Sequence, residues 1–124
     1  MTFPNEYRAR WQGEEYEASP DGDAAVRLYS AVASTGFEEV RPGRHRRVVP
    51  RREVEWFGYV RTVGAWRDLP VLVLHERGAD LLVQYLGGLA PLADAAGLTR
   101  MEPGVYQGWV RRTEVDEIQE VRTP

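Results

Sequence analysis

The chain has 124 residues, 43% of them apolar and thirteen aromatic, enough for one compact domain or two very small ones, and its net charge of −3 gives no overall pull toward nucleic acid. Cysteine is absent, which excludes disulfides, thiolate metal sites and a cysteine nucleophile, and no run of apolar residues is long enough for a membrane-spanning helix. The N-terminal Met-Thr-Phe-Pro-Asn-Glu lacks the basic-then-apolar pattern of a secretion signal, so the expected location is the cytoplasm.

Residues 7–12 alternate, with Tyr7, Ala9 and Trp11 on one face, as a half-buried strand does. Residues 15–19 alternate likewise, Pro20-Asp21-Gly22-Asp23 is a strong turn, and residues 25–30 return with Val26 and Leu28 on one side. After a small-residue loop at 31–35 comes a hairpin, 37–41 and 44–49, around Pro42-Gly43. Proline presets φ at the first central position there and glycine accepts a positive φ at the second. A short polar turn at 50–53 leads into residues 54–63, the longest run of strand formers.

Residues 70–76 are nearly all apolar and read as the most buried strand of the second half. A turn at 77–80 and a return strand at 81–86 follow. Leu89, Leu92, Ala93 and Ala96 have helical spacing, with Gly97 as the stop, which predicts one short helix. A second Pro-Gly hairpin (98–102 and 105–110) and a last strand at 115–121 complete the chain.

Residues 36–55 recur, changed, as 97–116. Gly36/Gly97, Pro42/Pro103, Gly43/Gly104, Val49/Val110, Arg51/Arg112, Glu53/Glu114 and Val54/Val115 are identical at an offset of 61. Trp11/Trp66 match at 55, and Gly22/Gly78 and Tyr29/Tyr85 at 56. A long fixed period marks duplicated supersecondary units. The expectation is an all-β protein of two tandem small β-barrel units, residues 1–62 and 63–124, packed together, with one short helix in the second. The order strand, turn, strand, loop, hairpin, short turn, final strand resembles the Src-homology-three-like barrel, and Tudor-like barrels share that shape. The acidic loop and paired aromatics with which the Src-homology-three family grips proline-rich peptides are not found, so its ligand preference is not implied.

Chemistry is sparse. The two histidines, His45 and His75, have no metal-ligand spacing, Asp21-Gly22-Asp23 lacks the later ligands of a calcium loop, and no phosphate-cradling loop or nucleophile elbow occurs. No catalytic residue, metal or cofactor is therefore assigned. Two surfaces stand out. The stretch Arg41–Arg52 carries Arg44, Arg46, Arg47 and Arg51, which offer a positive field for phosphates or an acidic protein, or a charged edge that prevents sheet-to-sheet pairing. All sixteen basic residues are arginine, as a GC-rich bacterial genome produces, so the lack of lysine is not itself a functional signal. Among the aromatics, Trp56, Tyr59, Trp66, Tyr106 and Trp109 are binding candidates, because units this small cannot bury every ring. Trp109 stands where the first half has only Val48 and is the ring expected to be most exposed.

The leading functional expectation is a non-enzymatic cytoplasmic protein-interaction module, of the kind an inhibitor or immunity protein represents, acting as a monomer or homodimer on another protein. Glu14, Glu15 and Glu17, or Glu114, Asp116, Glu117 and Glu120, would supply charge toward a basic partner. The alternatives are a nucleic-acid binder using the arginine hairpin, less favoured by the overall acidity, and an enzyme or small-ligand binder with a carboxylate and aromatic site.

Overall fold

A computed structural model describes all 124 residues. Eleven strands form: β1 (Asn5–Trp11), β2 (Glu14–Asp21), β3 (Ala25–Ser30), β4 (Glu38–Arg41), β5 (Arg44–Pro50), β6 (Trp56–Trp66), β7 (Leu69–Arg77), β8 (Asp80–Tyr85), β9 (Thr99–Glu102), β10 (Val105–Arg111) and β11 (Val115–Thr123). The single α-helix, α1 (Ala90–Ala95), lies where the apolar spacing puts it, and 3-10 turns at Arg51–Glu53 and Arg112–Glu114 precede β6 and β11. No helix is long and apolar enough to cross a membrane.

All eleven strands belong to one sheet, with the order β4-β5-β3-β2-β1-β6-β7-β8-β10-β9 and β11 paired to β6. The sheet is antiparallel and is not closed: β6, an eleven-residue strand without a break, pairs with β1 and with β7, so the ladder continues through it. The open ends are β4 and β9, both four residues long and exposed throughout.

The chain clusters into two compact units. One, called N-terminal here, holds Glu6–Val60 and Arg122–Pro124. The other, called C-terminal, holds Arg61–Val121 and Met1–Asn5. Each has its own core. In the N-terminal unit Ala9, Trp11, Ala18, Val26, Leu28, Val49 and Val54 are buried, with Tyr16, Phe37 and Phe57 packed against them. In the C-terminal unit the core is Trp66, Val71, Val73, Leu81, Val83, Tyr85, Ala93, Leu98, Val110 and Val115, to which Phe3 and Tyr106 add. Alternation does this: inward positions of β3 (Val26, Leu28) and of β8 (Leu81, Val83) are wholly buried, and each such side chain contributes about 1.5–3 kcal/mol. Tyr7, expected on the buried face with Ala9 and Trp11, is instead 42% exposed, since its ring lies at the rim against Phe57 and Tyr59.

The strand registers repeat between the units. Trp11 pairs with Glu14 and Trp66 with Leu69; Val26 pairs with Val49 and Leu81 with Val110; Glu38 pairs with Arg46 and Thr99 with Gln107. The left-handed backbone positions repeat as well: Gln12/Arg67, Gly13/Asp68, Gly22/Gly78, Gly36/Gly97 and Gly43/Gly104 all have positive φ. The register corrects one pairing inferred from sequence. Tyr29 corresponds to Gln84 and not to Tyr85, because these are the residues that face Glu17 and Leu72. A bulge in β7 near Leu74 adds a residue, and the shorter β7–β8 turn removes one, so the offset slips to 56 only locally.

Candidate functional site

In the C-terminal unit, the outward positions of β8, β10 and β9 form a ledge. Leu82 faces Trp109 across the β8–β10 pair, Gln107 pairs with both Gln84 and Thr99, and Met101 completes the row. A shallow groove of about 410 Å³ runs along Leu82, Thr99, Met101, Gln107, Gly108 and Trp109. Trp109 is 41% exposed and Met101 60%. The Arg77 guanidinium lies 4.0 Å from the Trp109 ring centroid, and the Gln107 amide donates to Gln84 Oε1 at 2.8 Å, so the tryptophan and the polar strip beside it are held in place. Leu82, Gln84, Thr99, Met101, Gln107 and Trp109 are uncharged, and the same face ends at the ion pair of Asp80 with Arg111 at 3.8 Å. The corresponding positions of the N-terminal unit, by register, are Arg27, Tyr29, Glu38, Val40, Arg46 and Val48. Three of those six are charged, while Ala25 and Pro50 stand where the C-terminal unit has Asp80 and Arg111, so the C-terminal copy has lost charge along the middle of the face and gained an ion pair at its end.

The N-terminal unit has a mouth where the C-terminal unit is closed. Trp11, Gln12, Glu14, Tyr16, Ser34, Thr35 and Arg47 surround a cavity of about 350 Å³. The Arg47 guanidinium lies 4.7 Å from the Trp11 ring centroid, and its Nη1 donates to the Thr35 carbonyl at 3.2 Å. Tyr16 stacks on Phe37 at 5.6 Å and donates its hydroxyl to Glu14 Oε2 at 3.0 Å. Desolvation and the bond to Glu14 raise the Tyr16 pKa against the opposing Arg47 charge, so the ring keeps its proton at neutral pH.

A third concavity in the N-terminal unit, about 420 Å³, is lined by Arg10, Glu15, Glu55, Trp56 and Arg122. Its charges already engage each other. Glu15 accepts from Arg122 and from Arg8, and Glu55 accepts from the Gly13 amide at 2.7 Å. The Arg122 hydrogen bond lowers the Glu15 pKa to about 2 against the cost of desolvation, with Arg8 lowering it further.

The predicted site residues are scattered. Arg44 pairs with Glu17 at 3.1 Å and covers Tyr29, Arg47 turns inward over Trp11, and Arg51 covers Phe57. Arg46 lies on the face opposite Arg47, beside Glu38 in register, so the arginine hairpin presents no single basic surface. Trp56 lies beneath Arg122, and Tyr59 meets Tyr7 edge to face. Tyr106 packs half-buried against its unit's core. Trp66 is 3% exposed inside that core, its indole N–H without a hydrogen-bond partner, which puts the ring out of a ligand's reach. Only Trp109 joins the ledge and only Arg47 the mouth. The sequence reading missed Leu82, Met101 and Thr99 on the ledge, and Gln12, Tyr16, Ser34 and Thr35 at the mouth. The repeat contained the signal for the first set: aligning the two halves shows Arg27→Leu, Glu38→Thr and Arg46→Gln, a loss of charge at three neighbouring positions of one face.

One family description, "Uncharacterised conserved protein UCP033725", matches residues 4–124. No curated protein and no solved structure matches the chain.

Proposed function

We propose that this chain, which belongs to the family matched over residues 4–124, is a non-enzymatic protein-interaction module whose binding face is the β8–β10–β9 ledge. The observation that carries this reading is the divergence of two equivalent faces. One keeps Arg27, Glu38 and Arg46, as a solvated sheet face does. The other replaces all three with uncharged residues around an exposed tryptophan and methionine. Tryptophan supplies binding energy well out of proportion to its number, and methionine adapts to irregular partner surfaces. The free edge of β9 lies beside the ledge, so an extended partner segment can add backbone hydrogen bonds to the apolar contact. The partner is another protein, in the cytoplasm, and the inhibitor or immunity role fits a chain whose chemistry lies in a surface. In the same reading each unit is a small barrel of the Src-homology-three-like kind, supported by the repeated strand order and the 3-10 turn before each last strand.

Photo-crosslinking tests the binding face. A photoreactive residue in place of Met101 is expected to give a discrete heavier product in cells, and one in place of Arg27, at the position equivalent to Leu82, is expected to give none. Equal labelling from both positions, or no product from position 101, overturns the assignment of the ledge.

A further inference from the structure

We infer that the mouth of the N-terminal unit is a binding site for a carboxylate attached to a flat apolar body. The inference is independent of the ledge. It begins from the duplication. In the C-terminal unit the equivalent space is filled by the chain itself: the segment from α1 to Leu98 buries Ala93 completely and Leu98 to 5% exposure, and Arg67 donates to the Ala96 carbonyl at 3.0 Å. Leu98 packs so closely on Gly108 that a Cβ there would lie 2.9 Å from its Cδ2. The register makes Phe37 the equivalent of Leu98, Arg47 of Gly108, Tyr16 of Val71 and Gln12 of Arg67. The N-terminal unit has no helix at this place, and an arginine occupies the glycine position. One copy fills the hole with aliphatic side chains; the other leaves it lined by two aromatic rings and a guanidinium.

The chemistry of the lining selects the ligand. Several other arginines of the same unit have a carboxylate partner: Arg8 has Glu6 and Glu15, Arg27 has Asp21, and Arg44 has Glu17. Arg47 has no carboxylate. Its one hydrogen bond goes to the Thr35 carbonyl, which leaves further N–H groups of the fork for an anion, with the Ser34 and Thr35 hydroxyls at the same wall. Glu14, which accepts from the Tyr16 hydroxyl, puts a carboxylate at the same mouth, so a singly charged anion suits the site better than a phosphate. Trp11 is buried beneath the Arg47 guanidinium, so a planar apolar group would meet the half-buried Tyr16 ring and the guanidinium that lies over Trp11. A free aromatic acid and the C-terminal carboxylate of a peptide ending in an aromatic residue share this chemistry.

The test uses the full chain in solution, with the indole N–H of Trp11 followed by NMR. The probes are phenylacetate, an acetylated peptide ending in phenylalanine with a free carboxylate, phenethylamine and inorganic phosphate, each up to about 10 mM, where even a millimolar site is mostly filled. Phenylacetate or the peptide is expected to shift the Trp11 signal saturably, and the tighter of the two identifies the source. Phenethylamine and phosphate are expected to leave it in place. Arg47→Ala is expected to abolish the shift and Arg47→Lys to weaken binding about tenfold, because lysine keeps the charge and loses the fork. An unmoved Trp11 signal with both carboxylates, an equal response to phosphate, or unchanged binding by Arg47→Ala overturns the inference.

Discussion

Replacing Glu15 with glutamine removes the charge that holds Arg122, and with it the last residues of the chain, to the N-terminal unit. In the folded protein the Glu15 carboxylate accepts from Arg122 and from Arg8, which lower its pKa from 4.5 to about 2. A drop of that size corresponds to about 3 kcal/mol. The pair is open to solvent, with side-chain exposures of 26% for Glu15 and 41% for Arg122, and screening reduces the value to about 1 kcal/mol. Because the folded pKa is the lower one, the stabilisation is complete above the unfolded value and drains away as the pH falls from 4.5 toward 2. Urea denaturation of wild type and Glu15→Gln is therefore expected to differ by about 1 kcal/mol at neutral pH and to converge near pH 2. Carboxyl NMR locates the titration directly. A Glu15 midpoint near 4.5, or a deficit in the variant as large in acid as at neutral pH, would refute the role given to this ion pair.

Gly36→Ala places a Cβ against the Arg47 guanidinium, 2.9 Å from its Cζ, at a φ of +84°, and is expected to cost about 1–2 kcal/mol by urea denaturation. Gly97→Ala meets nothing within 4 Å and carries only the cost of its φ of +93°, about 1 kcal/mol, so a larger loss at Gly97 than at Gly36 contradicts the packing. Leu28→Ala, at a wholly buried site, is expected to cost about 2–5 kcal/mol, against about 0.5 kcal/mol or less for Met101→Glu on the ledge; comparable losses would mean that Met101 is structural. Gln12→Asn puts Asn-Gly into a two-residue turn whose φ values are +50° and +80°, and is expected to raise the melting temperature slightly.

Periodicity and turn chemistry made most of the fold legible. The strands, the short helix ending at Gly97 and both Pro-Gly hairpins follow from local pattern, because φ > 0 at Gly43 and Gly104 is a requirement that few other residues meet. What sequence could not show was long-range hydrogen bonding. Nothing in residues 54–63 says that β6 pairs with both β1 and β7 and so joins the strands in one sheet. The single-residue bulge in β7 was equally hidden, and it misaligned Tyr29 with Tyr85, two rings on opposite faces. The candidate sites were less legible than the fold. Density of arginine drew attention to the Arg41–Arg52 hairpin, yet alternation sends Arg46 and Arg47 to opposite sides, and partners such as Glu17 are supplied by other strands.

The duplication also separates what the fold demands from what it leaves free. Several left-handed turn positions and inward core positions are matched in both units: Gly22/Gly78, Gly36/Gly97, Gly43/Gly104, Val26/Leu81 and Val49/Val110. A position whose residue type changes in charge, size and exposure is therefore not dictated by the architecture, since the same architecture tolerates the alternative sixty residues away. Arg47/Gly108 and Tyr16/Val71 at the mouth are such positions, as are Val48/Trp109, Arg27/Leu82 and Arg46/Gln107 on the outward face. Other departures lie along β1/β6 and β2/β7, among them Arg8/Val63, Arg10/Ala65, Glu15/Pro70 and Glu17/Leu72. There Arg8 is paired with Glu15 and Glu17 with Arg44 in the N-terminal unit, and Leu72 is buried in the C-terminal unit. The departures at the mouth and on the ledge border a concavity lined without an ion pair instead, which is why those two sets, and not divergence as such, are the ones assigned to recognition.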